Sequence, residues 1–427
     1  MGRSFLPSVY SAARGGTTGG EPPPVDSKPG SALVSVPMTP AQSEPARLYD
    51  PLAPDFGDHL YEIYRTLRDE HPVYHDTRRD QWALSRFADV QAALNDPATF
   101  SSEDTSISQG LLPMIQQLDS PRHDRLRALV SRAFTPRRIA EIEPRARAVA
   151  IELLDELRDT GRVDLLREFA RHLPSRVIGE MIGVPADRIA MFMEFTEKMI
   201  VTPGNATSGS EEHDRSPAIA IYEEFARLLE ERRASRSDDL VSALLDAELD
   251  GRGLTQEELL GFCFVLIVAG NDTTTNLIAS GSVLLARHPE QRALLVAEPE
   301  RIPNAIDEML RFETPTQALP RRLTRDVELH GTRLSEGSVV SLLWGSANRD
   351  DREFEKPERF DIHREPKRHL AFGHGVHYCL GANLARLEAR VAFEELLARI
   401  PDFELDGAPG WLPSIWARAH DTVPIRF

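Results

Sequence analysis

Cysteine is nearly missing from this chain. Two in 427 residues, Cys263 and Cys379, exclude a disulfide scaffold and a cysteine-rich zinc site, and fit a reducing cytoplasm. A basic surplus is missing too. The net charge is −17, which removes the Lys/Arg excess that a phosphate backbone demands, so nucleic acid is not an expected partner. No long apolar run is present. The most apolar stretch, Leu259 to Gly270 (LLGFCFVLIVAG), is far short of the ~20 residues of a membrane helix, and Asn271-Asp272-Thr273 follow it at once. A buried helix of a protein without membrane attachment is the expectation. Flavin and nicotinamide fingerprints and iron–sulfur cysteine clusters are also absent, so any electrons must come from another protein.

What is present supports a large core. The chain is 41% hydrophobic and 27% charged, which argues against overall disorder and allows two or three domains or one large one. Residues 1–48 stand apart, with eight prolines and six glycines and no helical or strand period. They are expected to form a flexible tail. Arg3 and Arg14 without an acid in the first 20 residues leave two readings, an organellar-targeting segment or a true start at Met38; a secretory signal core is lacking. From Leu48 onward the text is mostly helical. Apolar spacing predicts helices over Leu60–Asp69, Phe87–Leu94, Arg137–Leu157, Pro185–Ile200 and Ala218–Arg233, with a strand at Gln81–Ser85. Thr255-Gln256-Glu257-Glu258 is a capping box, opening a helix to about Ala286, roughly 45 Å long. Val327–Gly331 and Ser338–Leu342 read as strands of a small sheet. The fold class is mainly α with a small β part, one domain over 49–427.

Phe372-Gly373-His374-Gly375-Val376-His377-Tyr378-Cys379-Leu380-Gly381 is the richest segment. Glycines flanking the cysteine let backbone pass close to something flat or bulky, and Gly381–Arg399 reads as a helix with Cys379 at its N-terminus. Free amides and the helix dipole there are expected to lower the thiol pKa, making Cys379 a nucleophile or a metal ligand; a buried structural cysteine is the bland alternative. Ala269-Gly270-Asn271-Asp272-Thr273 falls inside the long helix. A small pair, an acid and a hydroxyl there can open a groove with a proton source beside a water-binding alcohol, because a buried carboxylate otherwise lacks a purpose. Alternatively Thr273, Thr274 and Thr275 only back-bond to carbonyls and bend the helix.

Phe-x-x-Gly-x-x-x-Cys-x-Gly, complete in Phe372, Gly375, Cys379 and Gly381, resembles the haem-binding signature of the cytochrome P-450 superfamily. The resemblance covers about 48–427; Ser120, where a second proline is common, is a minor departure. It implies haem b (iron protoporphyrin IX) between the long helix and the cysteine loop, with Cys379 as metal ligand and Phe372, Gly381, Ala269 and Gly270 against the cofactor. It implies that Asp272 and Thr273 are catalytic, delivering protons to the dioxygen cosubstrate. Glu308-Met309-Leu310-Arg311 matches the family's Glu-x-x-Arg, a buried structural network, whereas Glu62/Arg65, Glu224/Arg227 and Glu230/Arg233 read as surface pairs. His123, Arg127, Arg321 and His377 align as cations for the two propionates, with Arg322 competing for the Arg321 role.

The activity implied is insertion of one oxygen atom from O2 into a hydrophobic small molecule, with electrons from a ferredoxin and an NAD(P)H-dependent ferredoxin reductase, in a cytoplasmic monomer serving secondary metabolism. Eight arginines between Pro121 and Arg147, with Arg364, Lys367 and Arg368, suggest a basic docking face for an acidic ferredoxin. The resemblance puts substrate against Ile107, Leu111, Leu112, Met114, Ile115, Met191, Phe192, Met193, Phe195, Met199 and Leu319, with a lid loop over Val201–Pro217; core packing accounts for the methionines equally well. A peroxide-driven peroxygenase, a non-catalytic haem carrier or sensor, and a Cys–His hydrolase remain alternatives. The acid–alcohol pair argues against the first two, and a two-residue Cys–His spacing against the third.

Overall fold

The computed structural model describes residues 48–53, 55–105, 112, 114–131, 134–200, 216–249, 251–365 and 368–427. The proposed tail at 1–48 therefore lies, but for Leu48, outside the described residues. So do Ile107, Leu111 and most of the proposed lid loop.

The first helix, α1 (Phe56–Glu70), buries Leu60, Tyr64 and Leu67 at three- and four-residue spacing. Strands β1 (Val73–Asp76) and β2 (Gln81–Leu84) form an antiparallel hairpin. Helix α2 (Phe87–Asn95) begins where Asp350 accepts from the Phe87 amide at 2.9 Å. After β3 (Phe100–Ser101) come α3 (Arg122–Val130) and α4 (Pro136–Leu157). Thr135 caps α4, accepting from the Arg138 amide, and proline stands where its missing N–H costs nothing.

Strand β4 (Arg162–Asp164) precedes α5 (His172–Ile182), which ends at Gly183 with φ +97°. Helices α6 (Ala186–Ile200), α7 (Ser216–Ala234) and α8 (Leu240–Leu245) follow, then the small hairpin β5 (Glu248–Leu249) and β6 (Arg252–Gly253). The long helix is α9 (Gln256–Arg287), and its capping box is complete: Thr255 Oγ1 accepts from the Glu258 amide at 3.2 Å while Glu258 Oε2 accepts from the Thr255 amide at 2.9 Å. By length and composition α9 could cross a membrane, yet 72% of its most apolar window is buried in the protein, as befits a core helix.

The remainder comprises α10 (Pro289–Ala297), α11 (Ile302–Phe312), β7 (Ala318–Leu323), β8 (Val327–Leu329), β9 (Thr332–Leu334), β10 (Val339–Leu343), α12 (Trp344–Ala347), α13 (Ala382–Arg399), β11 (Glu404–Leu405) and β12 (Pro424–Arg426). Five strands pair in the order β1-β2-β10-β7-β3, with β10 parallel to β2 and the other pairs antiparallel. The two expected late strands exist but belong to different sheets. β8 pairs only with β9 in a hairpin, while β10 fills the centre of the five-stranded sheet.

The largest core cluster joins α4–α9, α11 and α13 around Phe169, Phe225, Phe262, Phe264 and Phe393. Glu308 and Arg311 are fully buried: the guanidinium grips both carboxylate oxygens at 2.7 and 2.8 Å and donates to the carbonyls of Asn348 and Pro357. Every polar atom there is used, which makes a buried pair tolerable. Glu224 departs from the surface-pair expectation; it is buried, accepting from Arg188 at 2.5 Å as well as from Arg227.

Candidate haem site

The cysteine loop starts from the buried Phe372 and returns on itself: the Cys379 amide donates to the Phe372 carbonyl at 2.9 Å. Gly375 has φ +69°, and a Cβ there would lie 2.5 Å from the Leu94 carbonyl oxygen; Gly373 has φ +67° and faces Trp344. These two glycines thus serve the loop's own turns and its contact with α2, rather than an approach to a flat ligand. Helix α13 begins three residues after the cysteine, with Gly381 as N-cap.

Cys379 is exposed, yet the protein around it desolvates the thiol and raises its pKa. The amide of Gly381, Arg127 and Arg386 pull the other way without winning. The expected lowering by the helix start is thereby corrected: desolvation outweighs amides and cations. The residue is accessible while the protein around its sulfur desolvates it, an environment in which a metal could displace the thiol proton.

Around the cysteine loop converge two guanidiniums and two imidazoles. His123, from α3, is buried and stands 4.3 Å from the His377 ring. Its Nδ1 meets Asp124, but its buried Nε2 has no partner among the described residues. His377 meets Ser102 Oγ at 3.1 Å. Burial, helped by Arg321, His123 and Arg127, lowers its pKa to about 3, so without a neighbouring anion the ring is neutral. Arg127 donates to the Tyr378 carbonyl at 2.6 Å. Arg321 points inward from β7, buried, bonded to the Pro320 carbonyl and to no carboxylate among the described residues; burial lowers its pKa to about 10. Arg322, next on the strand, faces outward onto the Asp104 and Gly337 carbonyls. The alternation of the strand turns Arg321 inward and Arg322 outward. A buried guanidinium in no ion pair, with only the more distant Asp119 charge acting on it, and an imidazole nitrogen without a partner among the described residues suit an anionic group; a dicarboxylate macrocycle held at a thiol fits them.

The second expected constellation lies on α9. Asp272 is half-buried, and its Oδ2 is buried without a partner; desolvation raises its pKa to about 8. Thr273 Oγ1 donates to the Ala269 carbonyl at 2.7 Å, so the back-bonding alternative describes this hydroxyl's bond correctly. Ala269 is exposed, whereas Gly270 is half-buried, facing Ile178 of α5 at 3.4 Å from a notional Cβ. Thr274 hydrogen-bonds the buried Glu388 of α13, whose pKa burial drives well above the carboxylate range. That bond ties the acid–alcohol segment to the helix that begins beside Cys379. Sequence reasoning missed Glu388, although an acid between Leu387 and Val391 on the buried stripe of α13 was a signal.

Of the expected substrate wall, Met114, Phe192 and Met193 are buried in the main core, and Phe192 packs on Phe225 at 5.0 Å. Leu112, Ile115, Met191, Phe195 and Leu319 are partly buried; the Met199 side chain lies outside the described residues. A separate cavity of about 310 Å³ lies between the start of α1 and residues 411–419, lined by Tyr49, Phe56, Tyr64, Gln317, Trp411 and Ile415 among others.

The basic docking face is smaller than its composition suggests. Arg125 pairs with Glu258, Arg145 with Glu180, Arg147 with Glu143, Glu394 and Glu395, and Arg364 with Glu308. Arg122 and Arg138 stay exposed without an acidic partner among the described residues. The cysteine loop exposes Val376 and Tyr378.

Comparison with known proteins agrees with this geometry. The family model described as Cytochrome P450 matches residues 191–407. Cytochrome P450 109 of Bacillus spizizenii is 38% identical over 367 residues, covering 85% of this chain and 87% of that protein. The structure of cytochrome P450 CYP109Q5 from Chondromyces apiculatus superposes with a TM-score of 0.81 at 39% identity, covering 88% of this chain and 97% of the other. CYP109E1 from Bacillus megaterium, solved with testosterone, gives 0.77 at 34% identity, covering 86% and 98%. With a cysteine loop, a cation cluster and near-complete coverage by these relatives, the chain belongs to the cytochrome P450 family of oxidoreductases, monooxygenases that work with haem b and dioxygen.

Proposed function

We propose that this chain is a haem-thiolate monooxygenase for hydrophobic small molecules, with Cys379 as the iron ligand and residues 49–427 as the catalytic unit. The observation that carries the assignment is the convergence of His123, Arg127, Arg321 and His377 on the Cys379 loop, with Arg321 buried, reached by the charge of Asp119 but in no ion pair among the described residues. Arg127 and Arg321 supply charge to the propionates, and His123 Nε2 and His377 supply hydrogen bonds. When bound, the haem supplies the iron centre at which dioxygen is activated. The chain's own part is electrostatic and protonic. Asp272, held protonated near neutral pH by burial, releases a proton that solvent cannot easily deliver to a closed site, and Thr273 orients the acceptor. Glycine and alanine at 269–270 leave room beside them.

Electrons come from an acidic ferredoxin and its reductase. The docking face draws on the exposed Arg122 and Arg138 and on the apolar Val376 and Tyr378 that the cysteine loop exposes. Apolar groups together with basic ones suit transient encounter. Cytoplasmic location and a monomeric state complete the reading, and the testosterone bound by CYP109E1 supports a flat apolar substrate.

The test is spectroscopic. Carbon monoxide added to the reduced protein should give the strongly red-shifted Soret band of a thiolate ligand, lost in Cys379→Ala; an imidazole-type band in the parent would overturn the assignment. Thr273→Ala should divert NAD(P)H consumption to peroxide, whereas coupled turnover would remove its role.

A further inference from the structure

Asn271 stands where three helices meet. Its Oδ1 lies 2.5 Å from Ser175 Oγ on α5, its Nδ2 3.1 Å from Thr196 Oγ1 on α6, and the same Nδ2 3.3 Å from Asp272 Oδ1. Asn271, Ser175 and Thr196 are 5%, 1% and 0% exposed, so water cannot replace a lost bond.

The proton count at this junction does not close in a single arrangement. Ser175 has one hydroxyl proton and two acceptors within reach, Asn271 Oδ1 at 2.5 Å and the Arg171 carbonyl at 2.6 Å. With Asp272 ionised, Nδ2 donates to the carboxylate, Oδ1 faces Ser175, and Ser175 must donate to it and abandon the Arg171 carbonyl. With Asp272 neutral, a proton on the buried Oδ2 would find no acceptor among the described residues, whereas a proton on Oδ1 faces Asn271, and there the acid becomes a donor facing a donor. A half-turn of the carboxamide resolves this. Oδ1 then accepts from the acid, Nδ2 donates to Ser175 Oγ, and Ser175 donates to the Arg171 carbonyl. Thr196, which already donates to the Met193 carbonyl at 3.1 Å, accepts from Nδ2 in the first state and can donate to Oδ1 in the second. A carboxamide is the side chain that offers a donor edge and an acceptor edge of equal shape.

We propose that Asn271 is the positioning residue for Asp272, its carboxamide turning over as the carboxyl gains or releases a proton while Ser175 exchanges acceptors in step. No proton passes through the amide; bonds only change partners. The functional weight of this switch rests on the proton role proposed above for Asp272. Burial places the acid's pKa near 8, so both forms are populated in an ordinary buffer range. The charged groups that bear on Asp272 are Arg171, which favours the ionised form, and Glu197, which opposes it. Those two pair with each other at 2.9 Å.

Two measurements test it on the holoenzyme. First, the infrared carbonyl band of protonated Asp272, assigned by its loss in Asp272→Asn, is titrated in the parent and in Asn271→Leu. Losing the N–H that serves the carboxylate should raise the midpoint by about one pH unit. An unmoved midpoint in a folded variant overturns the proposal. Second, neutron diffraction of parent crystals at about pH 6 and about pH 9.5, either side of the acid's midpoint, needs no variant to fold. Nδ2 should face Ser175 at the lower pH and Asp272 at the higher; one orientation at both refutes the switch. A fully coupled Asp272→Asn would instead remove the proton role and leave the orientation result standing, so the two failures are separable.

Discussion

The buried acid on α9 makes stability depend on pH in a direction opposite to that of most carboxylates. Asp272 titrates near 8 in the folded chain against an ordinary 3.8. Its folded-state pKa is raised, so the folded protein holds the proton more tightly. Its contribution is fully present below pH ~4, declines as pH rises, and is lost above pH ~8. Each pH unit across that window is worth about 1.4 kcal/mol, which sets a ceiling of about 6 kcal/mol. Water entry and relaxation around a buried ion reduce this to a few kcal/mol. Replacing the acid by its neutral isostere removes the dependence. Asp272→Asn should match the parent near pH 4, draw ahead of it as pH rises, and exceed it by a few kcal/mol at pH 9, read as the urea midpoint multiplied by the common m-value. Haem loss on unfolding is shared by both proteins and cancels in the difference. A difference between the two that stays constant from pH 5 to pH 9 would refute the burial argument.

Three further outcomes follow from other sites. Arg321→Met should release haem to a scavenging apoglobin about tenfold faster, a charge-assisted hydrogen bond of about 1.5 kcal/mol being lost. The same change should raise the apoprotein's urea midpoint, because a buried guanidinium without a counter-ion goes; unchanged haem retention would contradict the site. Glu308→Ala leaves Arg311 charged and fully buried, and should cost about 3–5 kcal/mol in denaturant unfolding; a loss under about 1 kcal/mol would mean the pair carries no such burden. Gly375→Ala puts a Cβ against the Leu94 carbonyl at positive φ, and should cost about 1–3 kcal/mol and diminish the red-shifted carbon monoxide band; an unaltered melt and spectrum would show that the loop needs no glycine there.

Local signals carried most of what sequence reading obtained. The Thr255–Glu258 box and the apolar spacing of α4 and α9 involve neighbours in the chain, so their helices were legible to within a residue or two. The cysteine segment was legible for the same reason. Pairing between distant strands was not: Val327–Leu329 and Val339–Leu343 look alike as text, and only the partners β9, β2 and β7 separate them. Charge bookkeeping failed likewise, since Arg125 meets an acid 133 positions away. The thiol pKa went the other way because a helix start is visible in sequence and desolvation is not. The Asn271 junction was hidden for that reason too, its hydroxyl partners lying 75 and 96 positions upstream.

Adjacent arginines on β7 meet opposite fates, one enclosed beside the cysteine loop and its neighbour outside, and nothing but strand register distinguishes them. Deleting one residue from the turn at 315–317 would exchange the two if the ladder with β10 slipped to compensate. The guanidinium facing inward would still be an arginine, but every apolar neighbour on the strand would be inverted, with Leu323, which shares the face of Arg321, driven outward. Duplicated arginine therefore offers no insurance: the sheet, not the side chain, selects which of two identical groups turns toward the cysteine loop.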